Sequence, residues 1–159
     1  MLPPEQFLAI VEHTPLVSID LICRNSQGEV LLGLRNNRPA QGSWFVPGGR
    51  IAKDERVGAA MRRIAARELG LTQLDPASAR PLGVFQHLYE DNFAGRAGIG
   101  THYLVLGYAL DIAADVPFVL DDQHSALRWF SIPDLLADPQ VHAYTKAYFD
   151  ADNRSTHLP

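Results

Sequence analysis

Residues 44–70 read WFVPGGRIAKDERVGAAMRRIAARELG, and this stretch decides the fold. It opens on a brief apolar strand, Trp44-Phe45-Val46, and breaks tightly at Pro47-Gly48-Gly49. A charged loop then leads into a helical pattern over 55–69 that stops at Gly70. Glycines let backbone approach a ligand closely and let a carbonyl face a cation. At about 100° per residue, Val57, Met61 and Ile64 fall on one helix face. Glu68 lies between Val57 and Met61 in angle and shares that face, with Arg63 and Arg67 beside it. A carboxylate on the buried side of a helix is costly unless it is paired or bound to metal. In the last turn the macrodipole disfavours it as well. The plainer alternative is a last turn that emerges from the core, with Glu68 in solvent or paired to an arginine. The helix carries four arginines and only two glutamates, few carboxylates for an element built around divalent metal. Arg35, Arg38 and Arg50 lie in loops around it, and guanidinium forks suit phosphate oxygens.

Outward from this stretch, the pattern gives several strands and two or three helices. A helix is expected over 5–13, stopped by Pro15, then a strand over 16–24, a turn at 25–28 and a strand over 29–34. Extended segments follow at 82–88, 102–110 and 127–130. Polar loops span 35–43, 90–100 and 121–125. A terminal helix over 132–150, broken near Pro139, precedes a tail that frays. This order predicts an α/β fold, a mixed sheet with helices packed on it, in one domain over 1–159. Within the strand 16–24, Asp20 interrupts an apolar run. Alternation puts it on one face with Ser18, a face that lines a pocket.

The 159 residues are 47% hydrophobic, enough for a real core, and the formal charge is -4. That balance offers no basic field for nucleic acid or an anionic membrane. The single cysteine, Cys23, sits in an apolar run and reads as a buried side chain, which excludes an intrachain disulfide framework. The opening MLPPEQF lacks the basic and apolar regions of a signal peptide, and no apolar run is long enough to span a bilayer. The expectation is a cytoplasmic protein.

Gly49, Glu55, Arg63 and Glu68-Leu69-Gly70-Leu71 are spaced as in the Nudix box, and the chain resembles that family. The resemblance implies an α/β/α sandwich around a mixed sheet and hydrolysis of nucleoside diphosphates linked to another moiety, with Mg2+ or Mn2+. Two usual carboxylates of the box are absent: Ile64 follows Arg63 directly, and Arg67 precedes Glu68 where a pair of glutamates would stand. That departure matches the GDP-mannose mannosyl hydrolase branch. The likeness extends through TPLVSIDLI, GEVLLGLRNNRPAQGSWFVPGGR, GVFQHLYEDNF, THYLVLGY, DDQH and VHAYTKAYF.

The branch implies attack of water on the sugar anomeric carbon, with inversion, releasing GDP and free sugar from GDP-mannose or GDP-glucose. By position it implies that the Gly48 carbonyl, Glu68 and Gln123 hold one Mg2+. His124 is then the general base, and Arg35, Arg50, Arg63 and Tyr103 handle the diphosphate. Asp20 and His87 lie near the sugar, and the chain forms a homodimer. The chemistry is coherent. One cation and several arginines neutralise a departing diphosphate, and a histidine titrating near neutrality suits a base. Alternatives are a nucleotide-sugar or ADP-ribose-type pyrophosphatase attacking phosphorus, and a noncatalytic nucleotide-sugar sensor. Residues 121–124 also make a good polar turn, His87 packs well beside an aromatic strand end, and Tyr103 packs through its ring.

Overall fold

The structure, a computed structural model, describes residues 2–116, 118 and 124–149. Helix α1, Pro4–His13, starts on its own proline and ends at Thr14, whose N–H and hydroxyl both donate to the Ile10 carbonyl. Strand β1, Leu16–Arg24, and strand β2, Val30–Arg35, are joined by a turn built on Asn25. The Asn25 side-chain oxygen accepts from the Gln27 and Glu29 N–H groups, and Gly28 takes φ +79°. Short strands β3, Trp44–Phe45, and β4, Gly48–Arg50, precede helix α2, Val57–Leu69. Strands β5, Arg80–Tyr89, and β6, Thr101–Asp111, form the long hairpin. Strand β7, His124–Phe130, and helices α3, Ile132–Ala137, and α4, Ala143–Ala147, follow.

The strands form one seven-stranded sheet in the order β3-β2-β1-β6-β5, with β4 paired to β1 and β7 to β2. Strand β1 runs parallel to β6 along its whole length, and the other pairings are antiparallel. Side-chain alternation on β1 splits the core in two. Ile19, Leu21 and Cys23 pack under Met61, Ile64 and Leu69 of α2. Ile22, on the opposite face, joins Phe45, Phe85, Leu135 and Tyr148 beneath the C-terminal helices. The result is a mixed sheet flanked by helices, as the residue pattern predicts.

Three expectations need correction. The Gly48-Gly49 segment is a strand, because Asp20, Ile19 and Ser18 of β1 pair with Gly48, Gly49 and Arg50. Helix α2 starts two residues late: Glu55 is held in the turn, accepting the Ala52 N–H at 2.9 Å, and Val57 in the first turn is exposed. His124 and Ser125 belong to β7, since β2 extends the ladder to them. The terminal helical region breaks at Pro139 as expected, with α3 closing before it and α4 beginning beyond it. Cys23 is buried as expected, and burial pushes its thiol up to about 12, too high for a nucleophile near neutrality.

Candidate active site

Strand β4 and the last turn of α2 meet where the sequence places the glycine pair. Gly70 adopts φ +71° and its N–H bonds the Ala66 carbonyl, while Leu71 N–H reaches Ala65; this left-handed cap ends α2 with Glu68 turned inward. Glu68 is only 3% exposed, and its Oε2 accepts the Gly48 N–H at 2.8 Å. Ile64 lies in the core against Gly49, and Arg67 is exposed. Glu68 is therefore the one carboxylate of α2, and it points at the glycine strand.

Asp20 lies on the other side of Gly48. A Cβ on Gly48 would sit 2.5 Å from Asp20 Oδ1 and 2.7 Å from the Ile19 carbonyl, so only glycine permits this approach. The Tyr148 hydroxyl donates to Asp20 Oδ2 at 2.6 Å. Burial pushes the Asp20 carboxyl up to about 7, against the opposing pull of the Tyr148 bond and the Arg35 charge. The pocket-lining face expected for Ser18 and Asp20 is a buried one, with both side chains 6% exposed.

Arg35 stands at the centre of the same region. Its guanidinium lies 5.7 Å from the Phe45 ring centroid, and among the described residues its buried Nε has no hydrogen-bond partner. Its charge acts on Asp20, Tyr89, Tyr103 and His142. Tyr103 feels both Arg50 and Arg35. His124 is the register partner of Arg35, next to a register shift at which β7 carries the extra residue Ser125, and its ring occupies the space over Gly33. A Cβ at Gly33 would meet His124 Cδ2 at 2.3 Å. His87 is buried and stacks flat on Tyr144, with ring centroids 4.2 Å apart and planes 5° from parallel.

Two of the arginines are engaged by protein groups. Arg50 lies over Phe7 of α1, 3.9 Å from its centroid, and Phe7 in turn packs on Phe93. Arg63 donates from Nε to Glu55 Oε1 at 2.7 Å, and from Nη2 to Glu55 Oε2 at 2.8 Å and the Arg50 carbonyl at 2.7 Å. The Arg63 bond holds the Glu55 carboxyl down at about 2. Arg63 thus ties α2 to the end of β4, at Arg50.

The residues fit a hard divalent cation in donor type. Glu68 accepts the Gly48 N–H, and its carboxylate and the Gly48 carbonyl are oxygen donors of the type such a cation takes. Gln123, the expected third ligand, lies outside the described residues, as do Asp121 and Asp122. Among the described residues no group of three His, Cys, Asp or Glu side chains is arranged to hold a metal, so the fit rests on Glu68 with backbone and amide oxygens.

Sequence reasoning gave no role to Tyr89, His142, Tyr144, Tyr148 or Gly33. The aromatic spacing in VHAYTKAYF was the available signal: Tyr144 and Tyr148 stand one helical turn apart.

A NUDIX domain model matches residues 14–151. The low-salt glycan biosynthesis protein Agl8 of Haloferax volcanii is 39% identical over 151 residues, covering 94% of this chain and 90% of that protein. A MutT protein from Methanosarcina mazei Go1 superposes with a TM-score of 0.69 at 23% identity, covering 91% of this chain and 97% of that one. A MutT NUDIX hydrolase from Burkholderia pseudomallei gives 0.67 at 27% identity, covering 86% and 96%. The NUDIX domain of Shewanella oneidensis NrtR, complexed with ADP ribose, gives 0.66 at 19% identity, covering 97% and 99%. The fold, the helix that turns a buried glutamate onto a glycine strand, and these matches agree: the chain belongs to the NUDIX domain family.

Proposed function

We propose that the protein hydrolyses a GDP-sugar, GDP-mannose or GDP-glucose, to GDP and free sugar by attack of water on the anomeric carbon. The observation that carries this reading is Glu68 as the one carboxylate that α2 delivers to the glycine strand, with Ile64 sealed in the core and Arg67 outside. A helix that brings a single carboxylate to the glycine strand is poorly equipped to gather several cations for attack at phosphorus. It is sufficient for stabilising a leaving group. The description of Agl8 as a glycan biosynthesis protein supports a sugar nucleotide as substrate.

In this reading Glu68, the Gly48 carbonyl and Gln123 would hold Mg2+ or Mn2+, which would supply positive charge at the departing diphosphate. Arg35 and Arg50 bind the diphosphate with Tyr103, and Arg63 acts by fixing the end of β4 that carries Arg50. Asp20 and His87 face the sugar. His124 takes a proton from water as the water oxygen bonds to the anomeric carbon. The bond from that carbon to the β-phosphate oxygen breaks, its electron pair leaves with GDP, and the sugar configuration inverts. A homodimer belongs to the same reading.

Incubation with GDP-mannose and magnesium in oxygen-18 water tests the bond that breaks. The expected result is label in free mannose and none in GDP. Label in a phosphate product, with sugar phosphate and GMP released, would overturn carbon attack in favour of a pyrophosphatase.

A further inference from the structure

The C-terminal helix is too short for much intrinsic stability, yet its side chains reach the two residues assigned to the sugar. Residues 140–142 join the sheet edge first. Trp44 N–H donates to the Gln140 carbonyl at 2.9 Å, and His142 N–H donates to the Trp44 carbonyl at 3.1 Å. His142 Nδ1 then accepts the Tyr144 N–H at 3.2 Å and caps α4. With its entry fixed in this way, α4 presents Tyr144 and Tyr148 from one face, because residues four apart are neighbours on a helix.

Each tyrosine is itself constrained. The Tyr144 hydroxyl accepts the Leu88 N–H at 2.8 Å and donates to the Leu88 carbonyl at 2.7 Å. Two bonds to one residue of β5 fix the ring, and that ring lies flat on His87. Tyr148 is 6% exposed, packs edge-on against Phe85 at 4.6 Å, and spends its hydroxyl on Asp20. One helix thereby sets the orientation of an imidazole on β5 and a carboxyl on β1, strands that lie on either side of β6.

We propose that Tyr144 and Tyr148 are positioning residues for the sugar half of the substrate, Tyr144 acting through His87 and Tyr148 through Asp20. This rests on the reading of Asp20 and His87 as the sugar-facing residues. A buried hydroxyl needs a partner in any fold; here the partners are the Asp20 carboxyl and the backbone of the residue beside His87. The doubly bonded hydroxyl of Tyr144 and the buried hydroxyl-to-carboxyl bond of Tyr148 are directional, which is what holding a geometry requires.

The test compares two probes on the full chain with magnesium: GDP, which lacks the sugar, and GDP-mannose. Affinities come from calorimetry, and turnover from free-sugar release. Tyr148→Phe keeps the ring and removes the bond; Tyr144→Leu removes the stacked ring, and Tyr144→Phe keeps it. Tyr148→Phe and Tyr144→Leu are expected to lower kcat/KM for GDP-mannose about tenfold or more. Affinity for GDP stays within about twofold of wild type, and Tyr144→Phe, which keeps the stacked ring but loses both bonds to Leu88, falls between wild type and Tyr144→Leu. Unchanged turnover and GDP-mannose affinity in both variants overturns the proposal. So does a parallel fall in affinity for both probes, which marks a structural role only. Wild-type products are identified first. Sugar phosphate there overturns the proposed bond cleavage, and the variants are then scored by that reaction. If wild type binds GDP-mannose without turnover, the affinity difference between the two probes decides.

Discussion

At the scale of single residues, Glu68 concentrates the argument. Helix periodicity put it on the inward face, and the structure buries it against Gly48 with Ile64 below. Glu68→Gln keeps the shape and a possible bond from Gly48 N–H but removes the charge. The expected outcome is a loss of kcat of at least about a hundredfold and loss of activation by magnesium, measured as free-sugar release against metal concentration. Turnover that stays near wild type and still rises with magnesium would remove Glu68 from the metal site. Asp20 was also legible, as a carboxylate in an apolar strand. Its bond to Tyr148, 128 positions away, was not. Gly33 was invisible for a similar reason: its value lies in the His124 ring it admits from β7. A sequence gives no reason to connect residue 33 with residue 124.

At the scale of elements, the strands and α2 were read from period and stop signals, and β1 was read with its observed bounds. The errors fell where pairing or a local bond outweighs composition. Gly48-Gly49 looks like a break, and becomes β4 because β1 leaves an edge there to be paired. Glu55 looks like the first turn of a helix, and stays in the loop because Ala52 and Arg63 claim its carboxylate. The Asp20–Tyr148 bond is itself a tie between elements, joining β1 to the end of α4, and the burial of Asp20 there gives a pH dependence. The Asp20 pKa rises on folding from 3.8 to about 7. Between those values the folded state binds more protons than the unfolded chain, so stability falls as pH rises. The favourable contribution is full below about pH 4 and is lost by about pH 7. In metal-free protein, urea unfolding is expected to show stability declining by a few kcal/mol across that window through Asp20. Asp20→Asn should flatten this part of the profile; an unchanged slope would show that Asp20 titrates normally in the fold.

At the scale of the whole molecule, the mixed sheet separates two cores and leaves a cluster of arginines, tyrosines and histidines on the side of the C-terminal helices. Among the described residues no helix is long and apolar enough to cross a membrane. Val17, Val84, Leu88 and Leu104 are exposed on the β1-β6-β5 side of the sheet. The homodimer in the proposed reading is checked by sedimentation velocity at micromolar concentration, where a boundary at twice the chain mass is expected. A single monomer boundary throughout would remove it.

The sequence by itself determined the class of fold, the family and the position of the glutamate that meets the glycine strand. These follow from local information: period, stop residues and the spacing of one contiguous stretch. Tertiary structure alone decided that Arg63 serves Glu55, that Arg50 rests on Phe7, and that Tyr144 and Tyr148 reach His87 and Asp20. Those contacts join residues on separate elements, and their partners are chosen by how the sheet and helices pack. No periodicity within one segment encodes them.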